Sequence, residues 1–183
     1  MKKTAYYLTG MGGRLDTGLG EALMSRGLSV TGRELVGDFR KLTFENQVAL
    51  VRDDILSDFW TSDSLLIAPS YGAYLFLHAQ AQLEPYIGNV ILLSPIIGSF
   101  YSQATMRQFI PPFATKLTKM AELGKFPTPQ KCQIHVGSED WQSNPEDVTR
   151  FGKLVGLRID VVPGAGHMLP REYVGNILDK WCA

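Results

Sequence analysis

Six short apolar runs, separated by segments of helical period, restrict the fold of this sequence more than any other feature. Several of these runs are apolar at consecutive positions, which indicates strands that are covered on both faces. Parallel strands have this pattern when the connecting helices pack on both sides of the sheet. The sequence therefore predicts an α/β fold with a doubly wound, mostly parallel sheet of about six strands, at residues 5–9, 28–31, 64–68, 90–93, 133–136 and 158–162.

The helices between these runs are recognisable from their first and last residues. Thr43 is expected to cap a helix whose apolar residues recur at the spacing of one helix face. Asn144 followed by Pro145 predicts a second helix start, and Pro170 predicts a third. Gly27 is expected to end the helix before it, because glycine readily adopts the backbone angles found there. These signals place helices between the strands, as a doubly wound sheet requires.

The length and composition of the chain exclude several classes of protein. Its 183 residues predict a single domain over 1–183. The 18 Lys and Arg residues balance the 18 Asp and Glu residues, so we expect no nucleic acid as a partner. Two cysteines supply neither a disulfide framework nor a four-ligand zinc site, which indicates a reducing compartment. No apolar run is long enough for a signal peptide or a membrane span, so a cytoplasmic protein is predicted.

One segment interrupts the alternation of strands and helices. Residues 99–126 follow the fourth strand and are rich in aromatic and aliphatic side chains around Pro111 and Pro112. Because proline ends or kinks a helix, we expect two short helices in this segment. The sequence leaves two interpretations open, a small lid over a pocket or an ordinary crossover insertion with a kink.

The first candidate site residue is Ser70. An apolar strand runs directly into Pro69-Ser70-Tyr71-Gly72 and an apolar helix, which is the context of a nucleophile elbow, a tight turn that exposes a serine. Gly72 supplies the small residue that this turn needs, whereas Ala68 stands where the usual motif has glycine. A serine that merely caps a helix has the same short motif, so the hypothesis depends on partners elsewhere in the chain.

Two such partners follow later strands. Asp140 lies in the loop after the fifth predicted strand, and His167 lies in a glycine-rich loop after the sixth. A serine hydroxyl needs a base such as imidazole to take its proton, and a carboxylate on the far nitrogen orients that imidazole. The chain order Ser70, Asp140, His167 is the order found in α/β-hydrolases. Glu139 is the alternative acid, although Asp140 takes the motif position.

A glycine-rich loop at residues 10–13 ends the first strand. Backbone amides in such a loop can point at a developing oxyanion, together with the amide that follows the nucleophile. We expect these two amides to be those of Met11 and Tyr71. The loop does not fit the dinucleotide-binding fingerprint, because Arg14 and Leu15 stand where glycine is required.

In this combination of motifs the sequence resembles the α/β-hydrolase superfamily, and in length it resembles the small single-domain serine hydrolases. The resemblance extends from the first glycine loop to the His167 loop. It implies cleavage of a carboxylic ester or thioester through an acyl-serine intermediate, with no metal or organic cofactor. Ser70 would be the nucleophile, His167 the base and then the acid, and Asp140 the residue that orients the imidazole. Thr9 departs from the family pattern, since many members have histidine there.

The partner that this resemblance implies is a small-molecule acyl substrate. Its pocket is expected to involve the first glycine loop and the apolar insertion, at Gly10, Phe100, Tyr101, Phe109 and Phe113. The insertion also has a net positive charge, which leaves open an anionic carrier such as coenzyme A; its charged residues are Arg107, Lys116, Lys119, Lys125 and Glu122. The alternative function is a catalytically silent α/β-hydrolase-like protein whose exposed aromatic residues form a protein-interaction module.

Overall fold

The computed structural model describes residues 3–182, which contain eight strands and seven helices. The strands are β1 (Thr4–Met11), β2 (Ser29–Leu35), β3 (Leu65–Pro69), β4 (Asn89–Leu93), β5 (Phe100–Ser102), β6 (Arg107–Phe109), β7 (Lys131–Gly137) and β8 (Arg158–Val162). The helices are α1 (Leu19–Met24), α2 (Gly37–Lys41), α3 (Phe44–Asp58), α4 (Ser70–Gln80), α5 (Lys116–Glu122), α6 (Pro145–Val155) and α7 (Arg171–Cys182).

Six of the strands form one parallel sheet in the order β2-β1-β3-β4-β7-β8. They are the six strands that the apolar runs predict, and the α/β fold class is confirmed. From β1 the chain moves first to one side, to β2, and then to the other side through β3, β4, β7 and β8. This reversal distributes the connecting helices over both faces of the sheet.

Alternate side chains of the central strands enter hydrophobic cores on opposite faces of the sheet. Tyr6 and Leu8 of β1 lie in the core that α3, α4 and α6 cover, whereas Ala5 and Tyr7 lie in the core that α1 and α7 cover. Strand β3, which lies beside β1 in the sheet, alternates in the same way, and its residues 65–68 are all buried. Two cores explain why the strands are apolar at consecutive positions.

The helix ends follow the signals in the sequence. The Thr43 hydroxyl accepts a hydrogen bond from the N–H of Asn46 at 3.3 Å, which caps α3. The Asn144 side chain caps α6 in the same way, with Pro145 as the first helical residue. Gly27 has a φ of +83° and donates its N–H to the carbonyl of Met24, which ends the turn after α1.

The expectation of two short helices in residues 99–126 is wrong for the first half of this segment. Strands β5 and β6 form an antiparallel hairpin there, and α5 begins only after the two prolines. Phe100 and Phe109 are partners across the hairpin, with ring centroids 4.9 Å apart. Such cross-strand aromatic pairs stabilise a hairpin, and helical spacing alone could not reveal them. The function of this segment as a lid stays a prediction.

The buried histidine His78 is expected to make the fold sensitive to acid. Its ring packs against Phe44 and Tyr74 with centroids at 4.9 and 4.4 Å, and its Nε2 has no hydrogen-bond partner among residues 3–182. Burial, and secondarily the charge of Lys116, lowers the pKa of His78 to about 3. The unfolded chain, with a histidine pKa of about 6.5, then binds more protons between these two values. The free energy of unfolding should therefore decrease as the pH is lowered through this interval. The contribution of His78 to this decrease is at most about 1.4 kcal/mol per pH unit.

Urea unfolding of the wild type and His78→Phe at neutral and mildly acidic pH tests this expectation. Phenylalanine fills a similar space without a titrating nitrogen, so the variant should lose less stability on acidification. An equal loss in both proteins would show that His78 does not cause the acid sensitivity.

Candidate active site

Ser70 lies at the junction of β3 and α4, where the chain turns sharply. Its φ is +52°, a left-handed conformation that costs a non-glycine residue roughly 1–2 kcal/mol. Gly72 makes the turn possible, because a Cβ at this position would overlap the carbonyl oxygen of Leu8 in β1. The strained serine and the close approach of α4 to β1 are the structural features of a nucleophile elbow.

The structure brings the side chains of Ser70, His167 and Asp140 together, although they are distant in sequence. Ser70 Oγ lies 2.8 Å from His167 Nε2, and His167 Nδ1 lies 2.9 Å from Asp140 Oδ2. If Nδ1 carries the proton and donates it to the carboxylate, Nε2 is free to accept from the serine hydroxyl. The Asp140 side chain is fully buried and that of His167 is 16% exposed. The arrangement can move a proton from Ser70 to His167 while a buried negative charge faces the imidazole.

The carboxylate of Asp140 is held by its own loop. Its Oδ1 accepts hydrogen bonds from the backbone N–H groups of Gln142 and Ser143, both at 2.9 Å. The Ser143 hydroxyl donates in turn to the carbonyl of Pro95, which fixes this loop to the segment after β4. The alternative acid, Glu139, has an exposed side chain. Asp140 is therefore the residue that the structure places against the imidazole.

Gly137 lets the loop that carries Asp140 approach the loop that carries His167. A Cβ on Gly137 would overlap the carbonyl oxygens of Ala165 and Gly166. Backbone hydrogen bonds also join the two loops, including one from the Glu139 N–H to the Ala165 carbonyl at 2.9 Å. The distance between the carboxylate and the imidazole therefore depends on the absence of a side chain at residue 137.

The variant Gly137→Ala is expected to separate these two loops. Overpacking of this kind costs about 1–3 kcal/mol, and a displacement near 1 Å at the reacting groups costs roughly 100-fold in rate. Gly166→Ala is the matched control, since a Cβ there would meet no atom within 4 Å and the residue does not require a left-handed backbone. Thermal unfolding and ester hydrolysis by both variants measure the difference. Equal behaviour would show that the close approach at Gly137 is unimportant.

The first glycine loop lies beside Ser70. A Cβ built on Gly10 would lie 3.5 Å from the Cβ of Ser70, an ordinary van der Waals contact. Met11 is the last residue of β1, and Tyr71 is the second residue of α4, where backbone N–H groups have no acceptor within the helix. The assignment of the Met11 and Tyr71 amides to an oxyanion hole stays a prediction.

The aromatic residues predicted for the pocket fall into two groups. Phe109 contacts the ring of Tyr71 with centroids 6.5 Å apart, and Phe100 contacts Trp141 at 5.9 Å. Together with the Phe100–Phe109 pair, these contacts connect the residue after Ser70 to the residue after Asp140. Phe113 instead packs against Phe44, at 5.9 Å, in the direction of His78.

A cavity of about 400 Å³ lies between the β5–β6 hairpin and the loop that leads from β7 to α6. Phe100 and Tyr101 line it, as the sequence predicts for a pocket, but Gly10, Phe109 and Phe113 do not. The sequence did not identify several polar residues of this cavity. A high density of side-chain amides in two separate segments was the available signal; the residues are Gln103, Gln108, Trp141, Gln142 and Asn144.

No protein-family model and no curated protein matches the sequence. Solved structures, by contrast, are similar over nearly the whole chain. MGS-MChE2, an α/β-hydrolase enzyme from the metagenome of lagoon sediments at Mar Chica, Morocco, is 17% identical with a TM-score of 0.65, covering 99% of this chain and 90% of its own. The chain has the α/β-hydrolase fold.

Two further structures with this fold extend the comparison. The monoacylglycerol lipase of Paleococcus ferrophilus is 14% identical with a TM-score of 0.69, covering 98% of this chain and 93% of its own. The ydeN gene product of B. subtilis is 13% identical with a TM-score of 0.70, covering 98% of both chains. In this chain the parallel strands β3, β7 and β8 all end at the edge of the sheet where Ser70, Asp140 and His167 meet.

Within residues 3–182, no group of three or more His, Cys, Asp or Glu side chains is placed to hold a metal ion. None of the helices in the same range is both long and apolar enough to cross a membrane.

Proposed function

We propose that this protein is a serine hydrolase that cleaves a carboxylic ester or thioester through an acyl-serine intermediate. The observation that carries the proposal is the continuous chain of hydrogen-bond contacts from Ser70 Oγ through both nitrogens of His167 to the buried carboxylate of Asp140. This chain begins at a serine with a strained, left-handed backbone, where strain commonly accompanies function.

In the first step, Ser70 Oγ attacks the carbonyl carbon of the substrate while His167 Nε2 takes the hydroxyl proton. The bond from the carbonyl carbon to the leaving oxygen or sulfur then breaks, and the imidazolium returns its proton to that atom. Asp140 stabilises the imidazolium and holds its ring in place. Water repeats the sequence on the acyl-serine, which releases the acid and restores Ser70.

The tetrahedral intermediates of both steps carry a negative oxygen. The amide of Tyr71, at the N-terminal end of α4, and that of Met11, beside the Gly10 contact with Ser70, are the proposed donors to this oxygen. Backbone donors arranged in advance stabilise such an oxygen without reorganisation, and the loss of one typically costs about 100- to 1000-fold in rate.

An apolar acyl group suits the surroundings of the proposed nucleophile. Met11, in the first glycine loop, is 54% exposed, and Met168, next to His167, is 87% exposed. Phe109, in contact with Tyr71, is also exposed. We take these exposed apolar side chains, which neighbour the proposed catalytic residues in sequence or by ring contact, as support for an apolar acyl group. The structural likeness to a protein described as a monoacylglycerol lipase agrees with an ester substrate.

Covalent labelling with a fluorophosphonate tests this proposal directly. Intact-mass spectrometry should find one adduct on the wild type and none on Ser70→Ala or His167→Ala, because only an activated serine reacts with the probe. A folded wild-type protein without an adduct would contradict the proposal. It would favour the alternative, a protein-interaction module, for which the exposed rings of Tyr101 and Phe113 are the candidate surface.

A further inference from the structure

Some residues that line the cavity between the hairpin and the β7–α6 loop are neighbours of residues that hydrogen-bond to Ser70 or Asp140, or form such bonds themselves. The residues on both sides of Ile96 line it, and Ile96 donates its N–H to the carbonyl of Ser70 at 3.2 Å. Ser143, whose N–H binds the Asp140 carboxylate, also lines it. Its volume of about 400 Å³ is in the range of small-ligand sites. The cavity is therefore adjacent to the segments that hold Ser70 and Asp140, although neither of these residues lines it.

Neutral polar side chains dominate the chemistry of the lining. Four of the twelve Asn and Gln residues of the chain line this one cavity, namely Gln103, Gln108, Gln142 and Asn144. A side-chain amide has two donors and an acceptor, so it matches hydroxyl groups, which also donate and accept. This concentration of amides points to a ligand with several hydroxyl groups.

Three aromatic rings form another part of the lining. Phe100, Tyr101 and Trp141 all line the cavity, and the rings of Phe100 and Trp141 are inclined by 63° at a centroid distance of 5.9 Å. Aromatic rings offer a large apolar area at little cost in conformational entropy, and those of Tyr and Trp also have a polar group at one end. A pyranose ring has the complementary chemistry, with apolar C–H groups on its faces and hydroxyl groups at its edge.

The charge of the lining argues against an anionic ligand. Among the described residues that line the cavity, Asp147 is the single charged side chain, and there is no Lys or Arg. The basic residues of the insertion lie elsewhere; the Lys116 ammonium, for example, lies 5.9 Å from the centre of the Phe113 ring, and Phe113 does not line the cavity. Phosphate groups of a carrier such as coenzyme A would meet a carboxylate here without a counter-charge.

We propose that this cavity binds a neutral, polyhydroxylated ring, and that this ring is the alcohol part of an acylated sugar. The inference rests on the proposed function, because the ester must reach Ser70. Attack by Ser70 Oγ breaks the bond between the carbonyl carbon and the sugar oxygen, and this oxygen takes the proton from His167. The free sugar then leaves the cavity, while the acyl group stays on Ser70 until water hydrolyses it.

Binding can be measured without turnover in the Ser70→Ala protein. Titration with methyl β-D-glucopyranoside, followed by NMR, should give saturable shifts of the Trp141 indole N–H and of the side-chain amides of the cavity. Methoxycyclohexane, a ring without hydroxyl groups, should cause much weaker shifts. Equal responses to both probes, or no saturable response to the glycoside in the millimolar range, would overturn the proposal. A response to tetramethylammonium alone would also overturn it, in favour of a cation site at Asp147.

Two double variants assign the binding to the cavity. Replacement of both Gln103 and Gln108 by leucine should weaken glycoside binding by at least about tenfold, because two ligand hydrogen bonds are lost. Replacement of both Gln130 and Gln133 by leucine is the matched control, since these are exposed glutamines that do not line the cavity. Equal affinity in the two variants would locate the binding elsewhere and overturn the proposal.

Kinetics with the active enzyme complete the test. The quantity to compare is kcat/KM for acetylated methyl glucoside divided by kcat/KM for 4-nitrophenyl acetate. This ratio should fall at least about tenfold when Gln103 and Gln108 are replaced, and should not change when Gln130 and Gln133 are replaced. Fluorophosphonate labelling separates the two proposals. A labelled Ser70 without glycoside binding overturns the cavity proposal alone, whereas glycoside binding with an unlabelled Ser70 overturns the proposed hydrolase function.

Discussion

Replacement of Ser70 by alanine should reduce ester hydrolysis by roughly 10⁶-fold in kcat, because no other group in the site replaces the attacking oxygen. The fold should be as stable as the wild type or more stable. Ser70 has a φ of +52°, so its backbone is strained, and the contact it makes is with a partly exposed imidazole that water can also bind. Ser70→Gly should be more stable still, by about 1 kcal/mol, since glycine adopts this backbone without strain.

Ser94 provides a matched control for the effect of backbone strain. It has a φ of +46° at the end of β4, and its buried hydroxyl has no partner within the described residues. Ser94→Gly should relieve similar strain and keep most of the activity. Thermal unfolding and hydrolysis of a small ester by the three variants test these expectations together. A clear loss of stability in both Ser70 variants would show that Ser70 stabilises the fold, and an equal loss of activity in Ser94→Gly would trace the defect to backbone relaxation.

The second large effect is expected at the buried acid. Asp140→Asn should lower kcat by about 10⁴-fold, because an amide facing Nδ1 favours the imidazole tautomer that cannot accept the serine proton. The structure predicts that the variant still folds, since an asparagine side-chain oxygen can accept the N–H groups of Gln142 and Ser143 as the carboxylate does. Steady-state hydrolysis, with circular dichroism to check the fold, measures both parts.

Glu139→Gln is the control for this substitution. The two acids are adjacent, yet Glu139 is exposed and Asp140 is in contact with the imidazole. The control should retain wild-type kinetics. Loss of activity in Glu139→Gln with near-normal activity in Asp140→Asn would reverse the assignment of the acid.

The fold could be predicted from the sequence because its strongest pattern has a single physical cause. A strand that enters a different hydrophobic core on each face must be apolar at consecutive positions, and residues 65–68 show this in both the sequence and the structure. The hairpin at β5 and β6 was missed because apolar residues at 106, 109, 110 and 113 recur at the spacing of one helix face, whereas the stabilising contact pairs Phe109 with Phe100 across a turn. The local pattern shows which residues are apolar. Whether they form a helix or a hairpin depends on pairing across a turn, which the local pattern does not contain.

For the candidate site, the sequence indicated which side chains would meet, and the structure supplies what holds them. Parallel strands end at a common edge, so a serine, an acid and a histidine that follow β3, β7 and β8 are brought close by the topology. The contacts of the Ser143 hydroxyl with Pro95, and of Gly137 with the His167 loop, depend on how separate loops pack. The same is true of the cavity, whose walls come from segments about 40 residues apart. No local pattern contains this information.

The β5–β6 hairpin has a consequence for how such a protein can acquire new substrates. The proposed catalytic side chains belong to the ends of sheet strands, whereas one wall of the cavity belongs to a single continuous insertion between β4 and β7. Under the proposed function, exchange of that insertion alters one wall of the cavity and leaves Ser70, Asp140 and His167 in place. The opposite wall is different, because Gln142 and Ser143 both line the cavity and bind the Asp140 carboxylate. The insertion is thus the part of the chain in which substitutions can alter substrate choice with the least effect on the reacting groups.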